Sequence, residues 1–250
     1  MFKAVTSDSK LLRDSIDTIS QLIDDGLFKI KKDGIELSAA DRATVSFVDF
    51  KINSSAFDDY MCDVDASIGL NLLNFLTVLK RANSNDKLTL NLDEKENKLE
   101  IILEGDSKRK FAIPLIEIRR EEMPQVDKLE FPAQAEVKAD IIEQGISDAD
   151  IVADSIMIEL SENSIRMFAS GNSSKSEMNI EKGNEAILEL NAGDAVQSRY
   201  SLDYLKKMIK GSRISDKMKI MLGKDFPLKM VFEGNDVSLS MVLAPRVSEE

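Results

Sequence analysis

The feature that most constrains this chain is that it repeats itself. Moving 130 residues along carries Leu72 to Leu202, Lys80 to Lys210, Asp86 to Asp216 and Lys87 to Lys217. The same step carries Leu11 to Ile141, Ile16 to Ile146, Ala39 to Ala169, Ser46 to Ser176 and Ile113 to Leu243, and it turns Asp33-Gly34-Ile35 into Asn163-Ser164-Ile165. Few of the matched positions are identical, and two amphipathic stretches can match by chance; a register that holds from end to end is stronger. It predicts two copies of one domain. A chain of 250 residues accommodates two domains of ordinary size. The predicted division is residues 1–116 and 133–250, joined by a connector over 117–132.

Each copy reads as strand, helix, strands, helix, strands. Met1–Thr6 alternates as a strand, and Leu12, Ile16, Ile19 and Ile23 form one stripe of a helix from about Ser9 to Ile23, with Gly26 as its stop. Asp33-Gly34 between Leu27–Lys32 and Ile35–Ala40 is a hairpin signal. Strands follow at Thr44–Ile52, Asp59–Val64 and Ala66–Leu70. A second helix runs from the N-cap Asn71 to Arg81, with Leu72, Phe75, Leu76 and Leu79 on one face and Arg81 on the other. Leu88–Leu92 and Leu99–Leu103 make a hairpin, and Arg109–Ile118 closes the first copy. The second copy places a helix near Asp140–Ala149 and another after Ser201. The connector contains Pro124 and Pro132 and many charges, so it is expected to be extended. Its spaced apolar residues Met123, Val126 and Leu129 anchor it to the body or wall a groove.

Composition then removes whole classes of function. Apolar residues make up 43% of the chain and charged residues 31%, with no apolar run long enough to span a membrane and no signal-peptide pattern at the start. Histidine, the commonest general base and metal ligand, is absent. The single cysteine, Cys62, has no disulfide partner and reads as a buried strand thiol. Asp24-Asp25, Asp58-Asp59 and Glu121-Glu122 are adjacent carboxylates on turns rather than an acid–base pair, and Gly183-Asn184-Glu185 is an ordinary turn. No enzyme, metal or cofactor is expected.

The net charge of −12 should repel nucleic acid, yet screening confines such effects to about 10 Å at moderate salt. Distribution therefore matters more than the sum. The first helix carries Lys10 and Arg13 against Asp14 and Asp17. The second carries Lys80 and Arg81 with no acid. The third carries Asp140, Glu143 and Asp148 with no base. The fourth carries Lys206, Lys207 and Lys210, with Arg213 just beyond, against Asp203. One such face is usually just solvated. Two at corresponding positions of a repeat predict a polyanion-facing surface, and the lack of an aromatic platform, Tyr204 and Tyr200 apart, favours duplex phosphates over single-stranded bases.

Phe57-Asp58-Asp59-Tyr60-Met61-Cys62-Asp63, leading through Ile68-Gly69-Leu70-Asn71-Leu72 to Leu79-Lys80-Arg81-Ala82, resembles the DNA-binding signature of the proliferating cell nuclear antigen family. Val242-Leu243-Ala244-Pro245-Arg246-Val247 resembles its C-terminus. Met1-Phe2-Lys3-Ala4, the Asp41 turn and Phe226-Pro227-Leu228 also fit, and the details look archaeal. The resemblance implies an α+β DNA clamp fold, with two similar domains each packing two helices on antiparallel sheets. Three subunits would close into a ring around duplex DNA, bound without sequence specificity, and confer processivity on a DNA polymerase. Twelve helices at about 10 Å each would give a hole roughly 40 Å across. Implied DNA-facing residues are Lys10, Arg13, Lys80, Arg81, Lys110, Lys206, Lys207, Lys210 and Arg213.

The resemblance further implies a head-to-tail interface between strands near Ser107–Ile116 and Ser174–Ile180, using Arg109, Lys110, Phe111, Lys175, Glu177 and Met178. Glu143 and Asp148 of the acidic third helix are expected to face Arg81 or Arg109 of a neighbour. A pocket for partner peptides is implied at Ala40, Val45, Phe47, Met123, Val126, Leu129, Pro227, Leu243, Ala244 and Pro245. Implied partners are the clamp loader, DNA polymerase, flap endonuclease and DNA ligase, in a cytoplasmic, nucleoid-associated setting. Thr77 stands where relatives often have Lys, Ala40 is smaller than the usual Met, and the third helix lacks the family's arginines. The alternative is a clamp-like scaffold, or a specialised subunit of a heteromeric ring, that seldom encircles DNA itself.

Overall fold

The computed structural model describes residues 1–119 and 126–246, and these form two units. One comprises residues 1–42, 48–119 and 234–239, the other 43–47, 126–233 and 240–246. Hydrogen bonds explain the short exchanged segments. Asn53 N–H donates to the Asp236 carbonyl at 2.8 Å inside the first unit, and Ala244 N–H donates to the Val45 carbonyl at 2.9 Å inside the second.

In the first unit the elements are β1 (Phe2–Thr6), α1 (Ser9–Ile19), β2 (Asp25–Lys31), β3 (Gly34–Ala40), β4 (Ser46–Asn53), β5 (Asp59–Cys62), β6 (Ala66–Asn71), α2 (Leu72–Leu79), β7 (Lys87–Asp93), β8 (Lys98–Glu104) and β9 (Lys108–Pro114). The second has β10 (Ala133–Lys138), α3 (Ala139–Asp150), β11 (Ser155–Leu160), β12 (Ser164–Ser170), β13 (Lys175–Glu181), β14 (Ile187–Ala192), β15 (Val196–Ser201), α4 (Leu202–Met208), β16 (Lys217–Leu222), β17 (Leu228–Glu233) and β18 (Val237–Leu243). The shift of 130 therefore carries element onto element. It also carries topology. Strand order β5-β1-β7-β8-β9 becomes β14-β10-β16-β17-β18, and β4-β3-β2-β6 becomes β13-β12-β11-β15. Strand neighbours within each order are antiparallel wherever their register is given.

The helices form for the reasons the spacing suggests. Asn71 accepts from the Asn74 N–H at 3.0 Å, and Leu72, Phe75, Leu76 and Leu79 are all buried. Each such side chain contributes about 2 kcal/mol on burial. Phe75 meets Phe28 of β2 edge to face, with centroids 6.2 Å apart. In α4 Leu202 and Leu205, the counterparts of Leu72 and Phe75, are fully buried, and so is Met208.

Several boundaries differ from expectation. The first helix ends at Ile19, not Ile23: Ser20 caps it, and tight turns then return Ile23 to the core. Gly26 is no helix stop but lies in β2, where a Cβ would approach Leu37 Cδ1 to 2.8 Å. The strand expected to reach Ile118 ends at Pro114, although Ile116 N–H still bonds to the Gly69 carbonyl at 2.9 Å. The connector is not wholly extended, since Val126–Lys128 makes a single 3₁₀ turn. Cys62 is half-buried rather than buried.

Candidate functional site

The basic residues of the four helices do not share one state. Lys80, at the end of α2, reaches across to Asp17 of α1 with an Nζ–Oδ1 distance of 2.8 Å. Lys206 of α4 does the same with Asp150 of α3, at 2.9 Å, and lies 3.6 Å from Asp203. The hydrogen bond to Asp150 raises the Lys206 pKa above its ordinary value. Both pairs tie one helix of a unit to the other, yet they fall at non-equivalent repeat positions, since Asp17 corresponds to Ser147 and Lys206 to Leu76. Arg13 pairs with its neighbour Asp14 at 3.2 Å. Lys10 and Arg81 are exposed, and Lys207 lies over the Tyr204 ring, 5.5 Å from its centroid. Lys210 is half-exposed and Arg213 exposed, in the 3₁₀ turn Ile209–Arg213 that prolongs α4. Half-paired lysines attract phosphate more weakly than isolated ones.

β9 and β13 are end strands in their orders. Their ladders show which amides face outward. Leu115 N–H bonds to the Asn97 carbonyl, so residues 109, 111 and 113 bond to β8, whereas Lys108, Lys110 and Ala112 turn their N–H groups to the open edge. On β13, Gly171 N–H bonding to the Ser174 carbonyl sets the alternation, and Lys175, Glu177, Asn179 and Glu181 turn theirs outward. Phe111 and Met178 are half-buried. Glu177 also pairs with Arg166 at 2.7 Å. Alongside β13, α3 presents Glu143 and Asp148 to solvent, and its C-cap Ile151 is 83% exposed.

Arg109 is engaged within its own chain. Its guanidinium pairs with Asp86 and donates to the Arg81 carbonyl at 3.0 Å, both inside the first unit.

Most of the expected pocket falls in the second unit. Val45, Phe47, Val126, Leu129, Pro227, Ala244 and Pro245 are half-buried there. Leu243 is fully buried and is a core residue rather than a lining one. Ala40 is half-buried at the end of β3 in the first unit, and Met123 lies outside the described residues. Two aromatic residues were not foreseen: Phe131 and Phe226 stack edge to face, centroids 5.5 Å apart. The Phe226 carbonyl is held by the hydroxyls of Tyr200, at 2.8 Å, and Ser198, at 3.3 Å. Phe226-Pro227-Leu228 entered only as part of the resemblance, and nothing local points to a ring partner 95 positions away in sequence.

The strand end that carries Ala244 and Pro245 is pinned by Arg246. Its N–H donates to the Arg199 carbonyl at 2.7 Å and its guanidinium meets Asp154 at 2.8 Å. The hydrogen bond from Arg246 holds the Asp154 carboxyl below its ordinary range. A depressed pKa contributes stability above the unfolded value, lost as pH falls through the folded one. Hydrogen exchange at the Arg246 amide, taken relative to its intrinsic rate at each pH, should accordingly stay slow at neutral pH and quicken as Asp154 protonates. Asp154→Asn should quicken it already at pH 7, and equal rates in both proteins would refute the anchor.

Among the described residues, no cluster of three or more His, Cys, Asp or Glu could hold a metal ion, and no helix is long and apolar enough to cross a membrane. Models of the N-terminal and C-terminal domains of proliferating cell nuclear antigen match residues 1–123 and 125–247. A protein of Methanobrevibacter smithii named DNA polymerase sliding clamp is 36% identical over 255 residues, covering all of both chains. One of the same name from Thermococcus sibiricus is 36% identical and covers 99% of each. Among solved structures, proliferating cell nuclear antigen of Thermococcus kodakaraensis superposes with a TM-score of 0.91 at 28% identity, covering 98% of this chain and 100% of that one. A chain of the PCNA2-PCNA3 complex from Sulfolobus tokodaii gives 0.89 at 26%, covering 98% and 99%.

Proposed function

Because the chain belongs to the proliferating cell nuclear antigen family, we propose that it is a DNA sliding clamp, three copies of which close around duplex DNA and hold a DNA polymerase on it. The observation that carries this reading is the second helix of each unit. In a chain of net charge −12, α2 and its repeat α4 are the helices whose ends gather Lys80 and Arg81, and Lys206, Lys207, Lys210 and Arg213. Placed against a duplex, these bases meet phosphates whatever the sequence. Encirclement supplies retention, so the attraction need only be weak. The ion pairs of Lys80 with Asp17 and of Lys206 with Asp150 keep it weak, and a tighter grip would oppose sliding.

Ring closure uses the two open edges. The outward N–H groups of β9 donate to carbonyls of β13 in the next copy and its carbonyls accept in return, a heterologous contact that closes after three steps. Charge favours this docking. Lys108 and Lys110 lie exposed on β9, while Asp140, Glu143 and Asp148 lie on the exposed side of α3 above β13. Ile151, left in solvent by the single chain, is covered in the assembly. The surface of Val45, Phe47, Pro227, Ala244 and Pro245, with Val126 and Leu129, takes an apolar or aromatic anchor from a partner peptide. Polymerase, clamp loader, flap endonuclease and DNA ligase would share it. The protein does no chemistry of its own.

The decisive experiment is polymerase extension on a primed circle with a loader. The clamp should lengthen products on the circle and lose that effect when the DNA is linearised, because the ring slides off the end. A scaffold that does not encircle DNA would show no such difference. Replacing Lys10, Arg81, Lys207 and Lys210 by Ala should lower loading severalfold with the circular dichroism unchanged, and undiminished loading would sink their role. The complex of two different subunits in Sulfolobus tokodaii makes a heteromeric ring the second reading. A solution mass of three chains for the purified protein favours the homotrimer, and a single-chain mass the heteromer.

A further inference from the structure

Arg109 occupies a position to which the repeat assigns no charge. The residue 130 positions on is Leu239, fully buried. In the first unit the guanidinium leaves β9 and grips the segment that follows α2. It pairs with Asp86, only 4% exposed, and donates to the Arg81 carbonyl at 3.0 Å. The Asp86 carboxylate also accepts the Asn83 N–H at 2.7 Å, and Gly105 leaves room for it, since a Cβ there would stand 2.4 Å from Oδ1. A carboxylate buried this far needs a cation beside it. The carbonyls at a helix end need donors, and Arg109 meets both needs. The ends of the two repeats differ accordingly: α4 runs on through the 3₁₀ turn Ile209–Arg213, whereas α2 stops at Leu79 and its next turn is held by this clasp.

We infer that Arg109 is a positioning residue that ties the open β9 edge to the basic end of α2, so that docking of β9 on a second copy also fixes the main chain carrying Arg81. The consequence for DNA rests on the sliding-clamp reading above; the tie itself does not. Pairing of the edge strand then reaches the DNA-facing helix through a single side chain. Lysine could neutralise Asp86 but could not also span to the Arg81 carbonyl with a planar fork.

Two measurements test this. By hydrogen exchange, Arg109→Ala and Asp86→Asn should each quicken the amides of residues 81–86 by about tenfold or more. Arg109→Lys, which keeps the charge and the fold, should quicken Arg81 and Ala82 most. At dilution that separates the chains, Arg109→Ala should still quicken these amides; if it did so only in the assembled protein, Arg109 would be acting across the interface and the inference would fall. In the second measurement, binding of the assembled protein to a short duplex at low salt should weaken roughly tenfold for Arg81→Ala and for Arg109→Ala. The double variant should be no weaker than Arg81→Ala alone. Additive losses, or unchanged exchange at residues 81–86, would overturn the assignment. Should the wild-type protein fail to bind duplex or to stimulate polymerase, the clamp reading fails while the exchange result still decides the tie.

Discussion

Ala112→Pro should separate the assembled protein into monomers while each chain stays folded. Ala112 lies on β9, an end strand, and its N–H points away from β8 because Leu115, Ile113 and Phe111 supply the bonds to that strand. Proline there removes no bond inside the sheet, just as Pro114 two residues on is tolerated at the same kind of position. It does remove a donor from the pairing edge and puts a ring where a second copy's strand would lie. The loss should be about 3 kcal/mol per interface, or more than 100-fold in dissociation constant. Light scattering would show single chains, circular dichroism an unchanged fold, and polymerase extension on a circle no stimulation. A trimer that survives would place the interface elsewhere. Phe111→Pro, which takes its proline on the bonded side, should instead destabilise the monomer itself.

The largest loss of stability is expected from Gly34→Ala. Gly34 opens β3 with φ +148°, and a Cβ there would lie 2.1 Å from the Ile52 carbonyl oxygen. The Gly34 carbonyl also accepts from the Tyr60 hydroxyl at 2.9 Å, so the turn has little freedom to move aside. Backbone strain and a main-chain clash should together cost about 3 kcal/mol or more. Gly183 provides the control. Its φ is +97°, but nothing lies within 4 Å of a Cβ there, so Gly183→Ala should cost only about 1 kcal/mol. Denaturant midpoints of the two variants would separate the terms. Equal losses would mean that strain alone, and not the Ile52 contact, makes Gly34 necessary.

How far the sequence could be read varied with how local the cause was. The face of α2 was legible because Leu72, Phe75, Leu76 and Leu79 need only each other's spacing, and the Asp33-Gly34 turn because its neighbours on both sides are β-prone. The end of α1 was not. Ile23 continues the helical stripe and is buried, yet it reaches the core from a tight turn; burial spacing does not distinguish the last turn of a helix from a turn that doubles back. Among the pocket residues, alternation along β18 already puts Leu243 on the buried face of Val237, Leu239 and Met241, and only the resemblance had placed it in the pocket.

Charge was the least legible. Lys80 and Lys206 stood out as bases on corresponding helices, but each meets a carboxylate far off in the chain, 63 and 56 residues away. Arg109, expected at a subunit interface, meets Asp86 and the Arg81 carbonyl within its own chain.

By itself the sequence determined the repeated order of strands and helices, the faces they bury and the family to which the chain is similar. These follow from apolar spacing, caps and turns that act within a few residues, and the shift of 130 writes them twice. Tertiary structure alone decided which bases remain available to a polyanion and which are spent on holding helices together. A charge finds its partner by distance in space, and that distance exists only once the strands between have been folded.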